Sequence, residues 1–202
     1  MSKLSLIVVG VVLGIVLSLG GAWLYYETSF NYQGVLIDPP AMAPDISLVD
    51  QDGSPFHLED QRGKLVLVFF GYTHCPDVCP ITLSEFKQVK AALGEQAGQV
   101  EFVFITVDPQ RDTPERIQGY LKNFDPEFTG LTGTERQLAE VWKAYGVYQQ
   151  RQDSGSAAGY LVDHSARTYL IDRQGQWRLN YPFGMGSDKM IRDVEHILKE
   201  QP

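Results

Sequence analysis

Cysteine is nearly absent from this sequence, since 202 residues contain only Cys75 and Cys79. Two cysteines are too few for the disulfide framework of a small secreted scaffold. They also fall short of the four cysteines that hold an iron–sulfur cluster. No cysteine directly follows the apolar N-terminal segment, which excludes a lipid anchor attached to a cysteine at that place. Cysteine chemistry in this chain is therefore confined to a single pair.

Basic residues are outnumbered, with 17 Lys and Arg against 25 Asp and Glu and a net charge of −8 at pH 7. The basic residues form no cluster along the chain. Nucleic acids and anionic lipid surfaces are bound through clustered Lys and Arg. The composition thus argues against both as partners, although it identifies no other partner.

Charged residues are missing altogether between Lys3 and Glu27. The apolar stretch over residues 4–26 is long enough to cross a bilayer, which needs about 20 residues. Lys3 favours the cytoplasmic side, so the chain after the stretch would be exported. We therefore predict that residues 1–26 form a single-pass transmembrane anchor, with the remainder facing the periplasm from a bacterial inner membrane.

A cleaved signal peptide is the alternative for this stretch, because Ser18, Gly20 and Ala22 offer small residues for cleavage. The apolar run is longer than a typical signal sequence, and aromatic residues near its end suit a membrane interface. An Arg-rich presequence, which would indicate a mitochondrion, is missing. These features favour the bacterial anchor over the alternatives.

Residues 27–44 are predicted to be a tether, because they contain Pro39, Pro40 and Pro44 and show no sustained periodicity. Residues 45–202 fit one globular domain without internal repeats. The continuous apolar run at residues 65–70 is typical of a strand that is buried on both faces, and residues 100–107 are predicted to form the next buried strand. The predicted order of elements is β-hairpin, β, α, β, α, α, β-hairpin, α.

This alternation of strands and helices predicts an α/β fold with a parallel or mixed sheet covered on both faces. Ligands of such folds bind beyond the carboxyl ends of the strands. The loop after the first buried strand contains both cysteines, and the loop after the second begins with Asp108. We therefore expect the functional site at this edge of the sheet.

Three helix starts can be read from capping patterns. Asp112 and Thr134 are each predicted to be the N-cap of a helix, because each is followed by acidic or amide residues typical of a first turn. A last helix is expected to begin near Ser187.

The cysteines lie in the segment GYTHCPDVCP at residues 71–80. Four residues apart, their side chains share one face of a helix. A position at a helix N-terminus stabilises thiolate through free N–H groups and the helix dipole. A structural disulfide here would close a very short loop and contribute little stability. A redox dithiol and a metal site both remain open from the residues alone.

A metal site would need more ligands than the two thiolates. Soft thiolates suit Cu(I) or zinc, and structural zinc requires four protein ligands that are not obvious here. The candidates for a third ligand comprise every histidine and one methionine: His57, His74, His164, His196 and Met185. Among these, His164 precedes a predicted strand, and the adjacent Asp163 is positioned to orient its imidazole.

The segment GYTHCPDVCP resembles the copper-binding signature of the SCO/SenC family. The segments TVDPQRDTPERIQGYL, FTGLTGT and VDHSARTYLIDRQG resemble the family in the same order, so that the similarity spans residues 44–198. The resemblance implies a thioredoxin-like fold behind a membrane anchor. It also implies that Cys75, Cys79 and His164 bind copper as Cu(I) and often as Cu(II).

The same resemblance separates this chain from relatives with other chemistry. Thioredoxins carry CxxC and a cis-proline opposite the dithiol, whereas this chain carries CxxxC and, at the matching place, VDHSA without proline. A histidine there favours binding a metal over docking a substrate disulfide. Peroxiredoxins carry Thr three residues before the reactive cysteine, and Tyr72 occupies that place here. Peroxidase activity is therefore not expected.

The function implied by the resemblance is that of a copper chaperone, not an enzyme, which matures the CuA centre of cytochrome c oxidase. Its partner would be the oxidase subunit that carries CuA, together with a periplasmic copper donor or thiol reductase. The alternatives are a thiol-disulfide oxidoreductase that reduces the CuA cysteines, and a copper or redox sensor. Asp108 is a candidate for tuning the copper ligands, and its alternative role is to form a turn before Pro109.

Overall fold

The computed structural model describes residues 10–21, 30–156 and 159–200. A helix, α1, covers residues 10–21. It belongs to a first unit that ends at Tyr32, and a second unit begins at Gln33. Within the described residues no helix is both long and apolar enough to span a membrane. The predicted anchor over residues 1–26 lies partly outside the described residues and stays a prediction.

The second unit combines strands and helices. Its strands are β1 (Val35–Met42), β2 (Ser47–Asp50), β3 (Pro55–His57), β4 (Leu65–Gly71), β5 (Val100–Thr106), β6 (Thr129–Thr132), β7 (Gln149–Ser156), β8 (Gly159–His164), β9 (Arg167–Ile171) and β10 (Gln176–Pro182). Its helices are α2 (Val78–Leu93), α3 (Pro114–Leu121), α4 (Glu135–Ala144) and α5 (Ser187–Lys199). Short 3-10 helices cover Leu58–Gln61 and Gly94–Gln99.

Eight strands form one sheet in the order β1-β10-β9-β4-β5-β6-β2-β3. The β4–β5 and β5–β6 pairs are parallel and the other pairs are antiparallel. The predicted α/β class with a mixed sheet is confirmed. β7 and β8 form a separate two-stranded hairpin.

Both faces of the sheet are covered at its centre. Every residue of β4 is buried, as its continuous apolar sequence predicts. Successive side chains of a strand point to opposite faces. Phe102 packs against Phe86 of α2, with ring centroids 5.6 Å apart. Phe70 packs at the same distance against Tyr145, which directly follows α4. The carboxyl end of β4 therefore lies in the packed core of the domain.

The structure corrects the tether prediction for residues 35–42, which form the edge strand β1 against β10. Almost all of its side chains are exposed, so β1 carries no hydrophobic periodicity from which it could be recognised. Its prolines are tolerated because it is an edge strand. The fully buried carboxylate of Asp193 in α5 accepts hydrogen bonds from the N–H groups of Gln33 and Gly34 at 2.8–3.0 Å.

Two of the predicted helix starts agree with the structure. Thr134 forms a complete capping box with Gln137, and α5 begins at Ser187. The third start is shifted by one residue, because Thr113 caps α3 by accepting a hydrogen bond from the N–H group of Arg116. The carboxylate of Asp112, the predicted cap, instead accepts hydrogen bonds from the hydroxyl groups of Thr73 and Thr106.

Candidate metal centre

Cys79 lies in the first turn of α2, where its side chain is fully buried against the end of β4. Gly71, the last residue of β4, makes this approach possible. A Cβ atom at residue 71 would lie 2.9 Å from the Cys79 Sγ and 2.8 Å from Phe69 and Phe104. Distances below 3.0 Å do not occur for real Cβ atoms. Glycine is therefore required for the sulfur to sit beneath the strand end.

Cys75 lies in the loop between β4 and α2 and is half-buried. Its N–H group donates to the carbonyl oxygen of Tyr72 at 3.2 Å, which closes a tight turn. Its Sγ accepts a hydrogen bond from the N–H group of Cys79 at 3.5 Å. Both thiols are free in the structure. The predicted placement of the pair at a helix N-terminus is thus correct.

His164 ends β8 and turns its imidazole toward the cysteines. Its Nε2 lies 3.6 Å from the Cys79 Sγ, and its Nδ1 lies 3.2 Å from the carbonyl oxygen of Ser165. A carbonyl oxygen only accepts hydrogen bonds, so Nδ1 carries the proton of the neutral ring. The lone pair of Nε2 then faces the sulfur atoms, which is the orientation that a metal ligand needs.

Two aromatic rings hold this imidazole in place. Phe69 and Tyr72 approach it edge-on, with centroid distances of 6.1 and 5.8 Å. Phe69 and Tyr72 are both fully packed, with exposures of 1% and 2%. The two packed rings therefore restrict the positions that the imidazole can take beside the cysteines.

The structure brings Cys75, Cys79 and His164 together, with one ligand atom from each lying within 4.8 Å of the others. Two sulfurs and one nitrogen form a soft donor set, which suits Cu(I) and falls one ligand short of a structural zinc site. Two of the other candidate ligands lie elsewhere. His57 is in β3 at the far edge of the sheet, and His196 pairs with Glu200 at 3.8 Å.

His74 also turns away from the thiols, although it adjoins Cys75. Its Nδ1 lies 3.2 Å from the Thr73 Oγ1, and its Nε2 lies 3.5 Å from Arg116. Met185 follows β10 and lines a small cavity together with Ala166 and Phe183. Among the described residues, the His, Cys, Asp and Glu side chains that lie close enough together to hold a metal are therefore Cys75, Cys79 and His164.

The two thiols differ in their electrostatics. The hydrogen bond from the Cys79 thiol is the main cause that lowers the pKa of Cys75, to about 4; burial opposes this shift, and the backbone N–H groups of Asp77 and Cys79 add to it. Burial is the main cause that raises the pKa of Cys79. The pair therefore shares one proton, with a thiolate on the accessible Cys75 and a thiol on the buried Cys79. A thiolate is the form that binds metals and attacks disulfides.

Asp112 organises the loop that carries the cysteines, a role that the sequence analysis missed. Its carboxylate is fully buried and accepts hydrogen bonds at 2.7 Å from the hydroxyl groups of Thr73 and Thr106. It also accepts from the N–H group of Thr73 at 3.1 Å. Burial raises the pKa of Asp112, whereas these hydrogen bonds lower it. In the sequence, the feature that could have indicated this role is that Asp112 is a second acidic residue shortly after β5, four positions after Asp108.

Neither of the two acids predicted to support the ligands touches them. Asp163 is exposed, and the described contact of the imidazole Nδ1 is to the carbonyl of Ser165, which corrects the orienting role expected of Asp163. Asp108 is buried but bonds to Arg111 and to the hydroxyl group of Tyr160, not to the cysteines. Asp108 therefore acts on the hairpin and not on the ligands directly.

Comparison with known proteins gives a consistent result. Residues 36–199 match the sequence model of the family described as SCO1/SenC. An SCO2-like protein of Rickettsia prowazekii is 39% identical to this chain over 145 residues, which cover 71% of this chain and 71% of that protein.

Two solved structures with copper bound are also similar to this chain. ScoI of Bradyrhizobium japonicum is 38% identical, with a TM-score of 0.71 over 78% of this chain and 99% of that one. ScoI of Arabidopsis thaliana is 32% identical, with a TM-score of 0.74 over 80% of this chain and 100% of that one. The match in fold confirms the predicted thioredoxin-like α/β architecture.

Proposed function

The chain belongs to the SCO1/SenC family, and from this premise we propose that it is a copper chaperone for the CuA centre of cytochrome c oxidase. In this role it is not an enzyme, and copper is its cargo. Residues 1–26 anchor it in a bacterial inner membrane, with the domain in the periplasm. The partner that accepts copper is the oxidase subunit that carries CuA.

The observation that supports this function is the convergence of Cys75, Cys79 and His164 at the carboxyl end of β4. These three side chains hold Cu(I) through two sulfurs and one nitrogen. Cu(II) depends more strongly on the imidazole, because it is a harder ion than Cu(I) and nitrogen is a harder ligand than sulfur. The copper bound to two similar ScoI structures fits the same interpretation.

The difference in exposure between the thiols suits the transfer of copper. Cys75 is half-buried and can be approached by a ligand of the partner, whereas Cys79 is fully buried against the end of β4. A partner thiolate would therefore displace Cys75 first, while Cys79 and His164 still hold the ion. Such stepwise exchange never releases free copper into the periplasm.

The same difference supports a second candidate function, the reduction of a disulfide in the oxidase. The Cys75 thiolate attacks the partner disulfide and forms a mixed disulfide, which releases one partner thiolate. Cys79 then attacks the Cys75 sulfur, forms an intramolecular disulfide and releases the second partner thiolate. Two electrons pass from the two cysteines of this chain to the partner; one partner thiolate takes up the proton of the Cys79 thiol, and the other stays a thiolate or takes a proton from water.

His164 separates the two functions. We expect His164→Ala to abolish strong Cu(II) binding and the delivery of copper to an apo CuA domain, because Nε2 is the only nitrogen ligand of the cluster. Two thiolates still bind Cu(I), so some Cu(I) binding should remain. Reduction of an oxidised CuA domain should be largely kept, since this exchange needs only the dithiol.

The matched control is His57→Ala, which removes a histidine at the far edge of the sheet and should leave copper delivery unchanged. Delivery is measured by the absorbance of the assembled CuA site, and reduction by counting the thiols of the acceptor. Copper delivery by His164→Ala at the wild-type rate would show that His164 is not a ligand and would refute the proposed mechanism.

A further inference from the structure

The hairpin that carries His164 lies outside the main sheet. β7 and β8 pair with each other, and among the described residues no ladder joins either of them to the eight-stranded sheet. The backbone hydrogen bond from the N–H group of Ser165 to the carbonyl oxygen of Tyr148 continues this pairing next to His164, so it joins the hairpin to itself and not to the sheet. The orientation of β8 must therefore depend on side-chain contacts along the strand.

One face of β8 provides these contacts. Successive side chains of a strand alternate between its faces, so Tyr160, Val162 and His164 point to the same side. Val162 is buried with 5% exposure, and His164 faces Cys79. A slip of one residue would turn His164 to the opposite face. The register of β8 thus decides whether the imidazole reaches the cysteines.

Arg111, in the loop after β5, contacts Tyr160, which is the first of the three residues on this face of β8. Its guanidinium lies 3.6 Å from the centre of the Tyr160 ring, and its Nη1 donates to the Tyr160 carbonyl oxygen at 3.0 Å. The carboxylate of Asp108 accepts from the Nε of Arg111 at 2.5 Å and from the Tyr160 hydroxyl at 2.7 Å. Arg151 of β7 lies 4.2 Å from the same ring.

Fold stability alone explains this arrangement poorly. The Nη2 of Arg111 is buried and has no hydrogen-bond partner within the part of the chain that the structure describes. A buried donor without a partner costs free energy. The guanidinium is kept there despite this cost because its plane stacks on the tyrosine while its edge binds a carboxylate, which lysine cannot reproduce.

We propose that Arg111 is a positioning residue for the third copper ligand, which it fixes by clamping Tyr160 and with it the register of β8. The inference rests on the proposed copper function. It predicts that loosening the clamp acts selectively on the ion that needs the imidazole. Cu(II) retention should fall, whereas Cu(I) should stay bound to Cys75 and Cys79.

Arg111→Lys tests this directly, because it keeps the positive charge and removes the planar stack. Loss of groups that orient a metal ligand typically lowers metal affinity about 10–100-fold. We expect a fall of this size for Cu(II) and a smaller fall for Cu(I), which the two thiolates still hold. The nitrogen splitting from imidazole in the Cu(II) EPR spectrum should weaken. In the copper-free protein, the ring signals of His164 in NMR should lose the shifts that Phe69 and Tyr72 impose.

Two variants on the hairpin side keep the test independent of the folding of Arg111→Lys. Tyr160→Leu removes the ring and should reproduce the loss of Cu(II) affinity. Tyr160→Phe keeps the ring and loses only the hydroxyl bond to Asp108, so it should retain most of the affinity.

The matched control is Arg178→Lys, which alters an arginine of similar exposure, 17% against 18% for Arg111. Arg178 pairs with Asp172 and Glu200, away from the hairpin. This variant should leave both copper affinities and the EPR spectrum unchanged.

Two results would overturn the inference in distinguishable ways. If Arg111→Lys and Tyr160→Leu keep wild-type Cu(II) affinity and nitrogen splitting while His164→Ala loses both, the clamp does not position the ligand. If His164→Ala itself behaves as wild type, the copper assignment fails and the clamp proposal fails with it.

Discussion

At the scale of single residues, the centre works through the contrast between two cysteines four positions apart. Cys75 combines partial exposure with a lowered pKa, and Cys79 combines complete burial with a raised pKa. Metal binding and disulfide exchange both start from a thiolate. Cys75 is therefore the residue at which either chemistry begins, and Cys79 is the one that completes it.

This contrast predicts the pH dependence of alkylation. The pKa of Cys75 is lowered to about 4, so its thiolate persists as the pH falls from 8 to 6. An ordinary thiol with a pKa of about 8.5 would lose roughly two orders of magnitude of thiolate over this range. We expect iodoacetamide to modify Cys75 at nearly the same rate throughout, as followed by mass spectrometry of the reduced, copper-free domain.

Cys75→Ser is the control for this experiment, because only the buried Cys79 then remains, and it should react slowly at every pH. The interpretation would be contradicted if the wild-type rate fell steeply between pH 8 and 6, as for a free cysteine. Because the pKa of Cys75 is lowered in the folded protein, the thiolate is lost only when the pH falls through this lowered pKa.

At the scale of elements, the domain begins earlier than its hydrophobic pattern indicates. β1 adds an edge strand to β10, and the backbone just before it satisfies the buried carboxylate of Asp193. The strand contributes hydrogen bonds and almost no apolar burial. Removing it would expose β10 as a new edge, which favours association with other chains.

Two truncations test this boundary. A domain that starts at Gln33 should be more stable than one that starts at Asp45, because the shorter chain leaves Asp193 without its N–H partners. An unsatisfied buried group costs about 1–3 kcal/mol, and more when it is charged. Urea unfolding followed by tryptophan fluorescence measures the difference. Equal unfolding midpoints for the two domains would mean that β1 is dispensable.

At the scale of the whole molecule, the proposed function requires export and retention at a membrane. The copper donors form a site on the domain, while the apolar stretch over residues 4–26 precedes it in the sequence. The full chain has a net charge of −8 and no basic clusters, so electrostatic attraction to anionic lipids is not expected to hold it at a membrane. The proposed attachment to the membrane therefore rests on the N-terminal segment.

We expect the intact protein to stay in the membrane fraction after a high-salt wash, because salt screens charges but does not weaken apolar insertion. A reporter fused to the C-terminus should be active only outside the cytoplasm. Deleting residues 1–26 removes both targeting and anchoring and serves as the control. A C-terminal reporter that is active in the cytoplasm would reverse the proposed topology, and quantitative release as a shortened chain would show cleavage.

The sequence by itself determined the features that depend on neighbours along the chain. The segment around Cys75 and Cys79 predicted that both lie in or just before the first turn of a helix, because prolines are tolerated at that place. The apolar run of β4 marked a central strand for a similarly local reason. The chemistry of the residues left every histidine open as the third ligand, and only the resemblance to a family selected His164.

The tertiary structure decided what depends on distant residues. His164 meets Cys79 across 85 positions, and Thr73 meets Asp112 across 39. β1 is mostly exposed and β7 is polar, so the sequence has no alternation of hydrophobic residues from which these strands could be predicted. Arg111 received its role only when the fold laid Tyr160 on its guanidinium. Such contacts are fixed by the packing of the whole chain, because the two partners carry no signal of each other in the local sequence.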